Sequence, residues 1–386
     1  MIIFSYNFLQ IVFFPIFVLI AVYRVLIRKE TLHSLSQKLF CLFDFAKINN
    51  CEFLIHFSSI GELNSISFLI KNFKGKKIIL SCSTLSSYSL AKKKYEDFDI
   101  IFLPLDFQWN VISFLSKVTI KKIIWIDSEI WPNWLIHSKK KNIKNILVNG
   151  RLSEKSYSRW KKFSSLSKEL GKKYNLIFAK SINDKDKFET IFSKNVLYLG
   201  NLKFYQTLKF KSDKKNIICF ASIHKNEFNQ VAEIIELINK NDVHEVIIIP
   251  RHIHYSNELR KKFINSRSSK ISILDKFGKN NEVYEKSKLV FMGGSLISHG
   301  GQNPIEPLSK GCMIISGRHI NNFLEIYNEL ENLLLAKVSK NNDLKEIAYM
   351  IQEVFNNEKN NRLIIEEYFK TKTKNLDLLV SEIKKC

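Results

Sequence analysis

None of the first 23 residues carries a charge, and none of the six cysteines stands in a C-x-x-C pair. The scatter of those cysteines (41, 51, 82, 219, 312 and 386) excludes a disulfide framework and a zinc site, and fits reduced thiols in a cytosolic environment. Arginine is scarce as well, with nine against 51 lysines, so the formal net charge of +23 is almost entirely a lysine charge. The lysines are spread along the chain, together with abundant asparagine, isoleucine and phenylalanine, which is the pattern of a compositional bias across a proteome. No basic arm and no nucleic-acid motif accompany them, so nucleic acid is not the expected partner. The charge still favours anionic partners such as acidic lipid or phosphorylated ligands.

The uncharged opening, MIIFSYNFLQIVFFPIFVLIAVY, is long enough to cross a bilayer, for which about 20 apolar residues suffice. It lacks the basic start and small-residue cleavage site of a signal peptide. Arg24, Arg28 and Lys29 follow at once and place the rest of the chain on the cytoplasmic side. Residues 1–28 therefore read as a membrane anchor; an amphipathic or buried helix kinked at Pro15 is the alternative.

After residue 28, short apolar runs alternate with helical stretches: 53–57, 76–82, 99–105, 121–127, 144–150 and 175–180, then 216–222, 244–250, 269–275, 287–293 and 312–317. Such alternation predicts parallel βαβ sheets. The polar, lysine-rich stretch between the two series sets a linker near 205–215, dividing the chain into domains 29–204 and 216–386. Two such domains usually share an active site in the cleft between them.

The motifs that can carry chemistry stand at the ends of these runs. In SSIGEL, Ser59 precedes Glu62 by three residues, the spacing of a capping box, yet the same acid on a strand-to-helix loop is placed to be a catalytic base. WIDSEIWPN puts Asp127, Ser128 and Glu129 at a strand end, where buried acids need partners or a task. Asn149 and Arg151 end the next strand, and Lys203 stands at the domain junction. In the second half, Ser222 and His224 follow the first strand, and Ser222 is read equally as a helix cap or a ligand contact. Pro250 and Arg251 end another strand; Arg suits bidentate phosphate recognition. His252 and His254 alternate, but without acidic or cysteine partners at ligand spacing no metal is expected. The densest signal is FMGGSLISHGGQNPIEP. Glycine pairs at 293–294 and 300–301 let backbone amides approach a ligand, and a helix opening near Glu306 and Pro307 supplies amides for an anion. Glu306 itself is better suited to ribose hydroxyls.

In this order and spacing, SSIGE, WIDSEIWPN, NGRLSEKSYSRW, GNLKF, ASIHKNE, PRH and GGSLISHGGQNPIEP resemble the Kdo transferases over residues 53–330. These membrane-associated enzymes move 3-deoxy-D-manno-octulosonic acid (Kdo) from CMP-Kdo to lipid A precursors in lipopolysaccharide biosynthesis. The resemblance implies an α/β GT-B architecture, with two Rossmann-like domains facing a cleft, acceptor on the first and nucleotide sugar on the second. It implies Glu62 as general base, and Glu129 and Lys203 as residues that stabilise the transition state. It assigns CMP to Pro250 and Arg251, to Phe277, Gly278 and Lys279, and to Asn303, Pro304, Ile305 and Glu306. Gly294, Ser295, Ser59, Arg151 and Ser222 are further candidates from the strand-end reading.

The expected reaction inverts the sugar centre, with CMP-Kdo as donor substrate and neither cofactor nor metal. The expected partners are a phosphorylated glycolipid and the anionic lipids of the inner membrane. The chain departs from the family pattern at Lys279, where an acid is common, and harmlessly at Gly150 and Ile60. Another GT-B enzyme using a UDP-sugar is the nearest competing reading. A non-catalytic membrane-surface protein and a basic nucleic-acid binder are the others.

Overall fold

The structure, a computed structural model, describes residues 2–386 except 128–129, 211–213, 239–242, 244, 264–269, 277 and 357–360. The expected site residues Glu129 and Phe277 lie outside the described residues. The chain divides into two compact units, residues 1–205 with 372–386, and residues 206–371.

The first unit is built on β1 (Asn50–Phe57), β2 (Ile78–Cys82), β3 (Asp99–Phe102), β4 (Thr119–Ile126), β5 (Lys144–Gly150) and β6 (Tyr174–Ala179), in the order β3-β2-β1-β4-β5-β6. All neighbours are parallel. A parallel sheet needs helices on both faces, so its strands are apolar without alternation. Residue parity decides which face is served: Leu54, Ile123 and Trp125 join one core, Phe53, Ile124 and Ile126 the other.

The second unit repeats the plan with β7 (Lys215–Ile223), β8 (Glu245–Pro250), β9 (Lys270–Ile273), β10 (Ser287–Met292), β11 (Met313–Ser316) and β12 (Ala336–Val338). Its order, β12-β11-β10-β7-β8-β9, is the same winding. In each sheet the chain reverses its direction of travel beside the first strand, between β1 and β4 and between β7 and β10. A crevice opens at such switch points, where ligands of open α/β sheets bind. The three-residue β12 has no run long enough to be read from sequence.

The second domain does not extend to residue 386 as the sequence suggested. Helix Leu376–Lys385 belongs to the first unit, because Leu376, Leu379, Val380 and Ile383 form one apolar stripe buried with Phe53 and Ile124. Lys122 Nζ caps this helix, donating to the carbonyls of Ile383 at 2.8 Å and Lys384 at 3.0 Å.

The uncharged opening forms one 25-residue helix, Ile2–Leu26, that passes through Pro15. It is long and apolar enough to cross a membrane. Its polar residues nevertheless dock on the first unit: Tyr6 Oη donates to Asp106 at 2.9 Å and Gln10 Nε2 to the Asp106 carbonyl at 3.0 Å. Asn133 Nδ2 donates to Asn7 Oδ1 at 2.9 Å. Phe14 packs edge-on against Phe107 and Trp109. The other flank leaves Phe4, Phe8, Ile11 and Leu19 exposed.

Candidate active site

At the switch point of the first unit, β1 ends at Phe57 and helix Ile60–Ser65 begins, with Ser59 as its cap. Ser59 Oγ accepts the Glu62 N–H at 3.3 Å and donates to Glu62 Oε1 at 2.9 Å, while the Ser58 N–H donates to Oε2 at 2.5 Å. Of the two readings of the opening motif, the capping one is what these bonds show. The carboxylate, half-buried at the strand mouth, is fixed in orientation by the Ser58 N–H and the Ser59 hydroxyl. Behind it His56 is fully buried, with Nδ1 3.0 Å from Ser81 Oγ, and burial pushes its pKa down to about 3, so the ring is neutral.

Opposite, Asp127, just after β4, has φ 67°, and Asn149, next to last in β5, has φ 58°. Left-handed backbone at non-glycine residues is a local strain that functional sites tend to hold. It turns the chain so that the Arg151 N–H reaches the Asp127 carbonyl at 3.2 Å and Asn149 Oδ1 accepts the Leu202 N–H at 3.3 Å. That second bond fastens the turn Leu202–Phe204, and with it Lys203, to the end of β5. The Lys203 ammonium is lowered in pKa mainly by burial, then held up by Asp127 and Glu62 and pressed down by Arg151. Lys203 thus feels Glu62 and Arg151, both chosen from sequence, together with the buried Asp127. Asp127 Oδ1 is buried with no hydrogen-bond partner among the described residues, so the neighbouring cations supply its compensation.

Lys180 joins them unannounced. It is the last residue of the run NLIFAK, and its buried ammonium is brought down to about 8 by burial and then by Lys203. The signal available in the sequence was its place at a strand end, the same criterion that selected Arg151.

In the second unit, Ser222, next to last in β7, has φ 58°, and the chain leaving β10 passes so close that a Cβ on Gly293 would lie 2.5 Å from the Ser222 carbonyl oxygen. Glycine is required there for backbone to meet backbone. The amides after it are not open to a ligand, contrary to expectation. The buried Glu227 carboxylate accepts the N–H groups of Gly294 at 2.7 Å, Ser295 at 3.1 Å and Leu296 at 3.1 Å, and that of His224 at 3.0 Å. The Gly293 N–H donates to the Ala221 carbonyl. Ser295 is structural: Oγ donates to Met292 O and accepts the Gly317 N–H. Nor does the segment near Glu306 give a free helix start. Helix Ile305–Leu308 has four residues, and Asn303 Oδ1 takes the Ile305 N–H at 3.2 Å.

What faces solvent at these strand ends is Arg251, exposed after buried Pro250 with its N–H on the Ile223 carbonyl. Gly278 and Lys279 are exposed, with Lys279 paired to Glu282. Pro304 and Ile305 are buried, and Glu306, its pKa raised by burial, lies beside Lys310. Among the described residues no three His, Cys, Asp or Glu side chains converge as metal ligands. Glu227 was within the quoted motif HKNE but not singled out; its spacing from His224 is that of a capping box, which the structure contains.

Residues 33–206 match the family model of 3-deoxy-D-manno-octulosonic-acid transferase (kdotransferase). A 3-deoxy-D-manno-octulosonic acid transferase of Rickettsia bellii is 26% identical over 418 residues, covering 96% of this chain and 98% of its own length. Residues 33–206 thus carry a Kdo transferase family domain, and the chain is similar to Kdo transferases along nearly its whole length. A bifunctional glycosyltransferase/methyltransferase of Fusobacterium nucleatum is 29% identical over 361 residues; the match takes in 84% of this chain but only 56% of that relative's length. Among solved structures, UDP-GlcNAc 2-epimerase from Neisseria meningitidis aligns with a TM-score of 0.60 at 14% identity, over 87% of this chain and 100% of its own. That likeness is one of fold, and it agrees with a GT-B-like pair of Rossmann-type units. The family model spans all six strands of the first unit and takes in Glu62, Asp127, Arg151, Lys180 and Lys203.

Proposed function

We propose that this glycosyltransferase moves Kdo from CMP-Kdo to a phosphorylated lipid A precursor, with inversion and with Glu62 as the general base. The observation that carries the reading is the placement of Glu62: a carboxylate oriented by Ser58 and Ser59 at a switch point, electrostatically coupled to Lys203. A sugar hydroxyl is a weak nucleophile, so a base within hydrogen-bond reach takes its proton as the new bond forms. The acceptor oxygen bonds to the anomeric carbon of Kdo while the bond to the CMP phosphate oxygen breaks. The sugar passes through oxocarbenium character, and the phosphate leaves with its electron pair. Lys203, with Lys180 and Arg151 beside it, supplies positive charge for substrate anions on the first unit, and Arg251 supplies it on the second. No step calls for a resident cofactor or metal.

The apolar face of helix Ile2–Leu26 and the lysine-rich surface fit an enzyme working at the cytoplasmic face of an anionic inner membrane, where its glycolipid acceptor resides. The test is turnover by the detergent-solubilised chain with CMP-Kdo and a tetraacylated lipid A precursor, followed as CMP release and glycolipid mass, beside Glu62→Gln. Turnover lost in the variant supports base and substrates together. Equal turnover removes Glu62 from its role, and no turnover by the unaltered chain, with CMP still bound, rejects the acceptor.

A further inference from the structure

With Gly293, Gly294, Ser295 and Leu296 amides all engaged internally, a phosphate on the second unit must find other donors. Imidazoles stand where the amides were expected. His224 follows β7; His252 and His254 follow Arg251 after β8; His299 follows β10. The rings of His224 and His299 stack at 4.5 Å with 17° between their planes. His252 meets His224 edge-on at 6.3 Å and stacks with His254 at 5.6 Å. Gln302 Nε2 lies 3.4 Å from His224 Nε2. A Cβ on Gly294 would come within 3.4 Å of that ring nitrogen and 3.2 Å of Gln302, so glycine keeps the space open.

Two of these rings, His224 and His252, are held towards the neutral form when alone. Burial, His299, Arg251 and His252 hold His224 down to about 4, and burial, Arg251 and His254 lower His252. The charged groups around it offer no relief. The Glu227 carboxylate accepts four backbone N–H groups, and its own N–H donates to the His224 ring. Glu258 is paired with Lys225 at 2.9 Å, and Lys225 lies over the Tyr255 ring.

We propose that His224, His252 and His299, together with Arg251, form a proton-loading phosphate site, so that a nucleoside monophosphate dianion binds with uptake of a proton by the imidazoles. The proposal rests on the reading of the second unit as the nucleotide unit. A dianion opposes the cationic field that lowers His224 and His252, and linkage then requires a proton to enter with the ligand. The charge that grows on the departing phosphate is the same charge, so the cluster responds most strongly as CMP forms.

The test is isothermal titration of the full chain with CMP at pH 7.5, in two buffers of different ionisation heat, with cytidine as the probe that lacks the phosphate. A phosphomonoester with second pKa near 6 is already a dianion there. The expected result is uptake on the order of half a proton per CMP and none with cytidine. His224→Gln should halve the uptake at least and weaken CMP about tenfold, by loss of one charge-assisted hydrogen bond. His252→Gln, at an exposed position, gives the second variant, and thermal unfolding of both checks the fold. CMP binding without proton uptake, or uptake unchanged in both variants, overturns the site while leaving the nucleotide reading intact. Absence of CMP binding overturns both.

Discussion

The Glu227 carboxylate receives the Gly294 N–H at 2.7 Å and the His224 N–H at 3.0 Å, tying the end of β7 to the end of β10 across the switch point of the second unit. A buried anion held by four backbone donors organises the glycine loop from within. Glu227→Gln keeps the shape but presents an amide N–H to other amide N–H groups. Leaving such groups unsatisfied costs about 1–3 kcal/mol each, more beside a charge. The variant should lose roughly 3 kcal/mol in urea unfolding and bind CMP at least tenfold more weakly. Unchanged stability would show that the loop holds its form without the carboxylate.

Glu62 serves the helix cap and the proposed chemistry with one side chain, and the two roles separate by mutation. Ser59→Ala removes the cap hydroxyl, which is worth about 1 kcal/mol, and should change turnover only a few-fold. Glu62→Gln retains a side-chain oxygen for the Ser58 N–H but cannot take a proton, so kcat should fall by about 10²–10⁴ with little change in the unfolding midpoint. Steady-state kinetics beside thermal unfolding decides between the roles.

Lys180 is held at a folded-state pKa of about 8, below the ordinary 10.5. A depressed lysine contributes stability that is present above its unfolded pKa and is lost as pH falls through the folded value. Between pH 10.5 and 8 this residue therefore makes the fold less stable as protons are added, by roughly 3 kcal/mol in total. Lys180→Met should flatten the dependence of urea-unfolding stability on pH between 8 and 10. At pH 7 it should raise stability or leave it unchanged while lowering turnover. An unaltered pH slope would reject the buried-ammonium account.

The strand alternation was legible because parallel strands buried on both faces are continuous apolar runs, as in KKIIWID and HEVIIIP. Strand-end residues followed from the same pattern, which pointed to Glu62, Arg151 and Arg251, whereas Lys203 came from its place at the domain junction and from the family resemblance. Three things were not legible. The return of Leu376–Lys385 to the first unit depends on which apolar face accepts the stripe, a tertiary choice that helical periodicity leaves open. The engagement of the Gly294–Leu296 amides depends on Glu227, 67 residues away from Gly294 in sequence. Lys180 offered only its strand-end place in the sequence, and its burial beside Lys203 and Asp127 is a tertiary fact.

Leu379 is 1% exposed in the core beneath β1 and β4, so the carboxy-terminal helix helps to hold the first unit. Leu379→Ala should destabilise that unit by about 2–4 kcal/mol, since a truncated buried leucine leaves a cavity as well as losing apolar burial. Domain-resolved hydrogen exchange is the measurement, with protection expected to fall in residues 50–57 and 119–126 and to persist in β7 and β10. Loss confined to the second unit would contradict the assignment of the helix.

Helix Ile2–Leu26 carries Tyr6, Asn7 and Gln10 on the flank that bonds to Asp106, Gln108 and Asn133, with Phe4, Phe8 and Leu19 exposed on the other. A helix crossing a bilayer alone would have to break those bonds and leave its partners on the first unit without them. The docked arrangement favours insertion of the apolar flank into one leaflet, beside lysines that attract acidic headgroups. The chain should therefore float with anionic vesicles and be released by alkaline carbonate, which a spanning helix resists. Replacing Phe8 and Leu19 together by Asp removes two buried apolar groups worth about 1.5–3 kcal/mol each, so vesicle partitioning should fall at least 100-fold. Resistance to carbonate, with Tyr6→Phe and Gln10→Ala without effect on partitioning or activity, would show that the helix spans the bilayer instead.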